Sequence, residues 1–241
     1  MSGATPDPRH GSARLTGLLY VLSNITAIFA FWVRSRLVAG NDPARTADNI
    51  MASEPLFRAG LASELVTIVL TTALVLGLYV VLKPVGRNLA SLALLWRILE
   101  NSVLAALTFA SFTALALLGG GAYLASVDTA QAEGLAYALI RVHIYGFQAG
   151  FLFLGLGSAL FSYLWLKSRY IPPLIAAWGI FASLLMASVS LALIVMPGLI
   201  SVITLAYMLP MGLYEIGLGL WLVAKGIRLP EQARPSADEA E

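Results

Sequence analysis

LASLALLWRILENSVLAALTFASFTALALL, residues Leu89–Leu118, runs for 30 residues with two charges, Arg97 and Glu100. As a helix it would extend about 45 Å, at about 1.5 Å per residue. The hydrocarbon core of a bilayer is about 30 Å thick, so the run is long enough to cross it at a tilt. Every unsatisfied backbone polar group in lipid costs several kcal/mol, so a run of this kind must be helical. A transmembrane barrel would instead show short alternating segments of about ten residues. Five further apolar runs cover Leu15–Val33, Gly60–Leu82, Leu135–Leu166, Leu174–Val195 and Ile200–Ala224.

The whole chain agrees with this reading. Of its 241 residues 59% are hydrophobic and 12% charged, and the mean hydropathy is +0.83. Soluble domains carry about 25% charged residues. The expected fold is all-α: six transmembrane helices in a compact bundle, with a short interfacial helix after the first span. That short helix is expected from Pro43 to about Ser53. Asp42 is a capping residue and Pro43 suits the first helical position, with Ile50 and Met51 as apolar contacts. It reads as a connector packed on the bundle, or as a lid over a cavity. Residues 1–13 and 229–241 read as mobile tails around a membrane domain of residues 14–228.

Lysine and arginine set the orientation. Arg9, Arg14, Lys83, Arg87, Lys167, Arg169, Lys225, Arg228 and Arg234 fall on one side, and Arg34, Arg36, Arg45 and Arg58 on the other. The imbalance places both termini in the cytoplasm, with the bacterial cytoplasmic membrane as the expected location. The net charge of +2 is spread along the chain, which argues against a nucleic-acid partner. With no cysteine, disulfides, thiolate metal sites and cysteine nucleophiles are excluded. No HExxH spacing, P-loop or GxGxxG occurs. Ser158 follows His143 by 15 residues on one expected helix, far too distant for a Ser–His couple. No cofactor or metal is implied. The implied partner is the bilayer, and a small solute or lipid is the implied ligand.

Six ionisable groups fall inside apolar runs: Glu64, Arg97, Glu100, Arg141, His143 and Glu215. Each charged group at a helix centre costs roughly 2.5–3.5 kcal/mol on insertion scales. Facing lipid, the five carboxylates and guanidiniums would cost on the order of 15 kcal/mol, as much as a whole domain's folding free energy. They are expected to face one another inside the bundle. Depth along each helix suggests the pairs Glu64–Arg141 and Arg97–Glu215, with Glu100 near His143.

Helical spacing extends the polar faces. Arg97, Glu100, Asn101, Leu104, Thr108 and Ser111 share a stripe of the third span. Glu64, Thr67 and Thr71 share one on the second, and Tyr20 and Asn24 one on the first. Thr204, Tyr207, Met211 and Glu215 share one on the sixth, where Pro210 is expected to kink the helix. On the fourth span Arg141, Tyr145 and Gln148 share a face, and Gly146 and Gly150 give a small-residue surface for close helix approach. The fourth span is expected to be central and the fifth peripheral. Candidate ligand-binding or proton-relay residues are therefore Glu64, Arg97, Glu100, Asn101, Arg141, His143, Tyr145, Gln148, Glu215 and Asn24. Transport or sensing of a small solute or lipid through a polar cavity is the expected function. An intramembrane enzyme acting on a lipid, or a structural subunit of a complex, are the alternatives.

Several short motifs carry a resemblance. They are Arg14-Leu15-Thr16-Gly17-Leu18-Leu19-Tyr20, Ser23-Asn24, Ala47-Asp48-Asn49-Ile50 before Leu56-Phe57-Arg58-Ala59-Gly60, Leu82-Lys83-Pro84-Val85, and His143-Ile144-Tyr145-Gly146-Phe147. Together they resemble the bacterial membrane-protein family called domain of unknown function 4386, over roughly residues 14–228. The resemblance implies the membrane architecture and no particular chemistry.

Overall fold

A computed structural model describes residues 8–120, 128–196, 198 and 200–228, with side chains from 206 onward in the last segment. Among the described residues seven α-helices form: α1 Pro8–Leu37, α2 Pro43–Ala52, α3 Glu54–Leu82, α4 Arg87–Leu118, α5 Thr129–Ser168, α6 Pro173–Val195 and α7 Ile200–Lys225. All but α2 are long and apolar enough to cross a membrane. The described residues contain no strand. The expected spans are recovered with ends a few residues longer. Of the segment read as the N-terminal tail, residues 8–13 extend α1, and Ala13 is fully buried. Residues 1–7 and 229–241 lie outside the described residues.

Local chemistry explains the boundaries. The Asp42 carboxylate accepts the Arg45 backbone N–H at 3.0 Å, and Pro43 opens α2. Pro55 and Pro173 stand in the first turns of α3 and α6. At the far end of α7, Gly226 takes a positive φ of 65°, a conformation that ends helices cheaply only at glycine.

The long helices close a ring. α1 packs on α3 and α7, α4 on α3 and α5, and α6 on α5 and α7. Chain neighbours are thus spatial neighbours, and α7 returns to α1. The closing seam is tight: a Cβ on Gly17 would stand 2.7 Å from the Gly219 carbonyl oxygen, and one on Gly219 would stand 2.8 Å from the Tyr20 Cβ. Only glycine lets these two backbones approach so closely. α5 is central, as expected, touching α2, α3, α4 and α6. Gly146 and Gly150 receive Leu107 and Leu104 of α4.

The expected peripheral place of the fifth span is not seen. α6 is a full member of the ring, with Ser183 and Ser190 completely buried. Sparse polarity marked it as outer, but small residues also suit helix–helix seams. Outward faces carry large exposed apolar side chains such as Val69, Phe109 and Leu174. That belt is what a lipid-facing surface requires.

α2 plugs one end of the ring. Its Ile50 is wholly buried among Val33, Leu37, Phe57, Leu61, Leu115 and Ile140. It rests on α1, α3, α4 and α5 together. Met51, expected as a second apolar contact, is exposed instead.

Candidate functional site

Two polar clusters occupy the ring interior, at different depths. The first lies beneath α2. Glu64 of α3 forms an ion pair with Arg34 of α1. The other Glu64 oxygen accepts the Thr108 hydroxyl at 3.2 Å and stands 3.4 Å from His143 Nε2. His143 Nδ1 is 2.5 Å from the Ser111 hydroxyl. With the ring proton on Nε2, Ser111 donates to the imidazole and the imidazole donates to Glu64. Arg34 also stacks over Phe147, 4.7 Å from its centroid. Beside the cluster is a cavity of about 10 Å³, lined by Arg34, Glu64, Ser111, Phe57 and Ile140 among others. That is about the room one water needs.

The second cluster lies deeper, toward the end that holds both termini. Arg97 and Glu100 are one turn apart on α4 and pair at 3.0 Å, both almost fully buried. Arg97 donates to Ser158 of α5 at 3.4 Å. Its stem crosses α5 at Gly157, where a Cβ would come within 2.8 Å of the Arg97 Cγ. Glu215 of α7 accepts from the Asn24 amide of α1 at 3.3 Å. Buried Tyr20, whose carbonyl also accepts from the Asn24 amide, and buried Tyr214, next to Glu215 in the chain, complete the group. Tyr214 accepts from Ser162 at 2.8 Å across a space kept open by Gly179.

Between the clusters runs a neutral polar seam. Thr71 donates to Asn101 at 3.0 Å, Asn101 donates to Thr72 at 2.9 Å, and Thr26 and Thr67 bridge α1 and α3 at 2.7 Å. Tyr207 donates to Gln148 at 2.8 Å.

The family model described as Domain of unknown function (DUF4386) matches residues 15–226. The chain belongs to this family. No curated protein and no solved structure matches the chain. The DUF4386 match spans both clusters and the α1–α7 seam, so every candidate residue lies within it.

The DUF4386 chain brings together most of the expected residues, with different partners. Glu64 pairs with Arg34 and His143 and not with Arg141. Arg141 lies at the rim beside α2, bonded to the Gly40 carbonyl at 3.5 Å and to Tyr145. Arg141 and Tyr145 therefore belong to neither cluster. Arg141 faces the loop before α2, where Tyr137 also holds the Gly40 carbonyl at 2.5 Å, and Tyr145 is exposed. His143 joins Glu64, not Glu100, and Glu100 takes Arg97 as its ion pair. Arg97 and Glu215 make no direct ion pair; Glu215 is held by the Asn24 amide instead. The Thr204 side chain lies outside the described residues.

Arg34 was missed because an arginine after Phe31-Trp32-Val33 reads as the end of a span. The signal that contradicts this is helical spacing: Ala30, Val33 and Leu37 form one buried stripe that carries α1 past Arg34. Gly157 and Gly179 were missed because the arginine stem and tyrosine ring they accommodate come from other helices.

Proposed function

We propose that this membrane protein transports or senses a small solute or ion, with the Arg34–Glu64–His143 cluster as its binding site. The carrying observation is that cluster itself: Arg34 of α1, Glu64 of α3 and Ser111 of α4 line one small cavity near α2, and His143 of α5 backs it through Ser111 and Glu64. Buried charge is costly, and intramembrane ionisable groups most often mark solute or ion paths. The cavity holds about one water, so a larger ligand requires α2 to lift or the ring to open. α2 is the element suited to move, because it is short and buries only Thr46, Ala47 and Ile50. We place both termini in the cytoplasm, since nine of the flanking basic residues fall on their side and four on the other. Fusion of a cytoplasm-active reporter to the C-terminus tests that orientation; an inactive fusion rejects it.

Thermal unfolding of purified protein, screened against small anions, cations, amino acids and lipids, tests the site. A ligand that raises the unfolding temperature in wild type and not in Glu64→Gln supports it. A screen in which no ligand acts through Glu64 favours a structural subunit.

One observation favours an enzymatic reading as the second choice. The Ser111–His143–Glu64 chain has the order of nucleophile, base and orienting carboxylate. A fluorophosphonate probe would form a Ser111 Oγ–phosphorus bond with loss of fluoride. Labelling absent from wild type, or retained in Ser111→Ala, removes this reading.

A further inference from the structure

The deeper cluster has more negative than positive charge. Arg97 is ion-paired with Glu100, and Glu215 lies at the same level, because Arg97 is bonded to Ser158 and the chain neighbour of Glu215, Tyr214, to Ser162 one turn along α5. The other groups facing them are neutral at physiological pH: Tyr20 and Asn24 from α1, Tyr214 from α7, Ser158 from α5, and the Asn101–Thr71–Thr72 group joining α4 to α3. α6 carries no ionisable residue at all. Arg14 precedes Asn24 by ten residues and Lys225 follows Glu215 by ten, so both stand about 15 Å away along their helices. No described cation is placed to balance the second carboxylate.

Hydrogen bonding is incomplete in the same place. The Arg97 Nε and one Glu100 oxygen are fully buried and lack a hydrogen-bond partner, although that oxygen lies within ion-pair range of Arg97. A buried, unpaired carboxylate is strongly disfavoured and accepts a proton before it stays charged. Two carboxylates sharing one site cannot both ionise freely.

We propose that Glu100 and Glu215 together bind one exchangeable proton beside Arg97, inside the ring where α1, α4 and α7 face one another. Either carboxylate carries it, and the pair titrates as a unit. Glu215 is the less enclosed of the two. It is half-buried at the α1–α7 seam and held by the half-buried Asn24, whereas Glu100 is enclosed. The site is separate from the cluster beneath α2 and does not depend on which solute that cluster takes. If the protein is a transporter, it supplies a coupling ion; if a sensor, a pH input.

Infrared spectroscopy of the protein in lipid at neutral pH tests the proposal without any reagent having to enter. Wild type should show the carbonyl band of one protonated carboxylic acid, lost as the pH is raised. Glu100→Gln and Glu215→Gln each leave one carboxylate with one arginine, so each should lose the band. Thermal unfolding checks that both variants are folded. Wild type without the band overturns the proposal. So does a band that persists in both variants, or one abolished by sodium but not by potassium at the same pH, which assigns the charge to a metal cation. The ligand screen at the α2 end reads a different cluster, so the two readings fail separately.

Discussion

Replacing Glu64 by leucine should cost about 3 kcal/mol, the low end of the roughly 3–5 kcal/mol expected when one partner of a buried ion pair is removed. The Arg34 and Glu64 side chains are 16% and 11% exposed, so most of their solvation is already lost in the folded state. Glu64→Leu strands the Arg34 guanidinium with only the Phe147 ring, a compensation of up to about 2 kcal/mol when desolvated. Arg34→Met is milder, because Glu64 keeps the Thr108 hydroxyl and His143. Its cost should be about 2 kcal/mol, within the range for a buried group that loses a charged partner. The double variant removes both charges and should cost no more than the worse single one. The coupling energy is then about 2 kcal/mol, well above the roughly 0.6 kcal/mol average for hydrogen bonds between membrane helices. Equilibrium unfolding in mixed micelles with rising SDS, on all four proteins, measures it. Strict additivity of the two single substitutions would refute the pairing.

Three other expectations follow from the geometry. Gly17→Leu should destabilise the α1–α7 seam by about 2 kcal/mol or more, since the backbone of Gly219 and Val223 blocks the new side chain; an unchanged SDS midpoint contradicts the seam. Cysteines at Thr26 and Thr67 should crosslink α1 to α3 under mild oxidation, because their hydroxyls are 2.7 Å apart and the native chain has no cysteine to compete; a reduced pair after oxidation shows the register is wrong. Asp42→Ala should loosen α2 by about 1 kcal/mol by removing its cap, read as faster amide exchange over residues 43–52 with the long helices unaffected.

The spans were legible because a membrane requires long uninterrupted apolar runs, and little else in this chain has them. α2 was legible through Asp42 and Pro43, whose chemistry acts within one turn. Which polar groups would be buried was also largely readable: Glu64, Arg97, Glu100, Asn101, His143 and Gln148 all are. Their pairing was not. Depth along a helix fixes only the level of a side chain, while rotation about the axis decides its partner. Glu64 and Arg141 do lie toward the same end, yet Arg141 turns to the α2 loop and Glu64 turns inward to Arg34 and His143. The length of α1 was misread for a related reason: a terminal arginine and a buried one look alike until a carboxylate on another helix is found.

The closure of α7 onto α1 bears on how the molecule is made. Because consecutive segments pack side by side, each hairpin can assemble as it leaves the ribosome. α7 must instead find α1, made about 160 residues earlier, which by then has waited in the bilayer with Tyr20 and Asn24 uncovered. Closure of the ring is therefore a late docking step, and a chain stopped before residue 200 would display an unfilled seam for quality-control proteases to read.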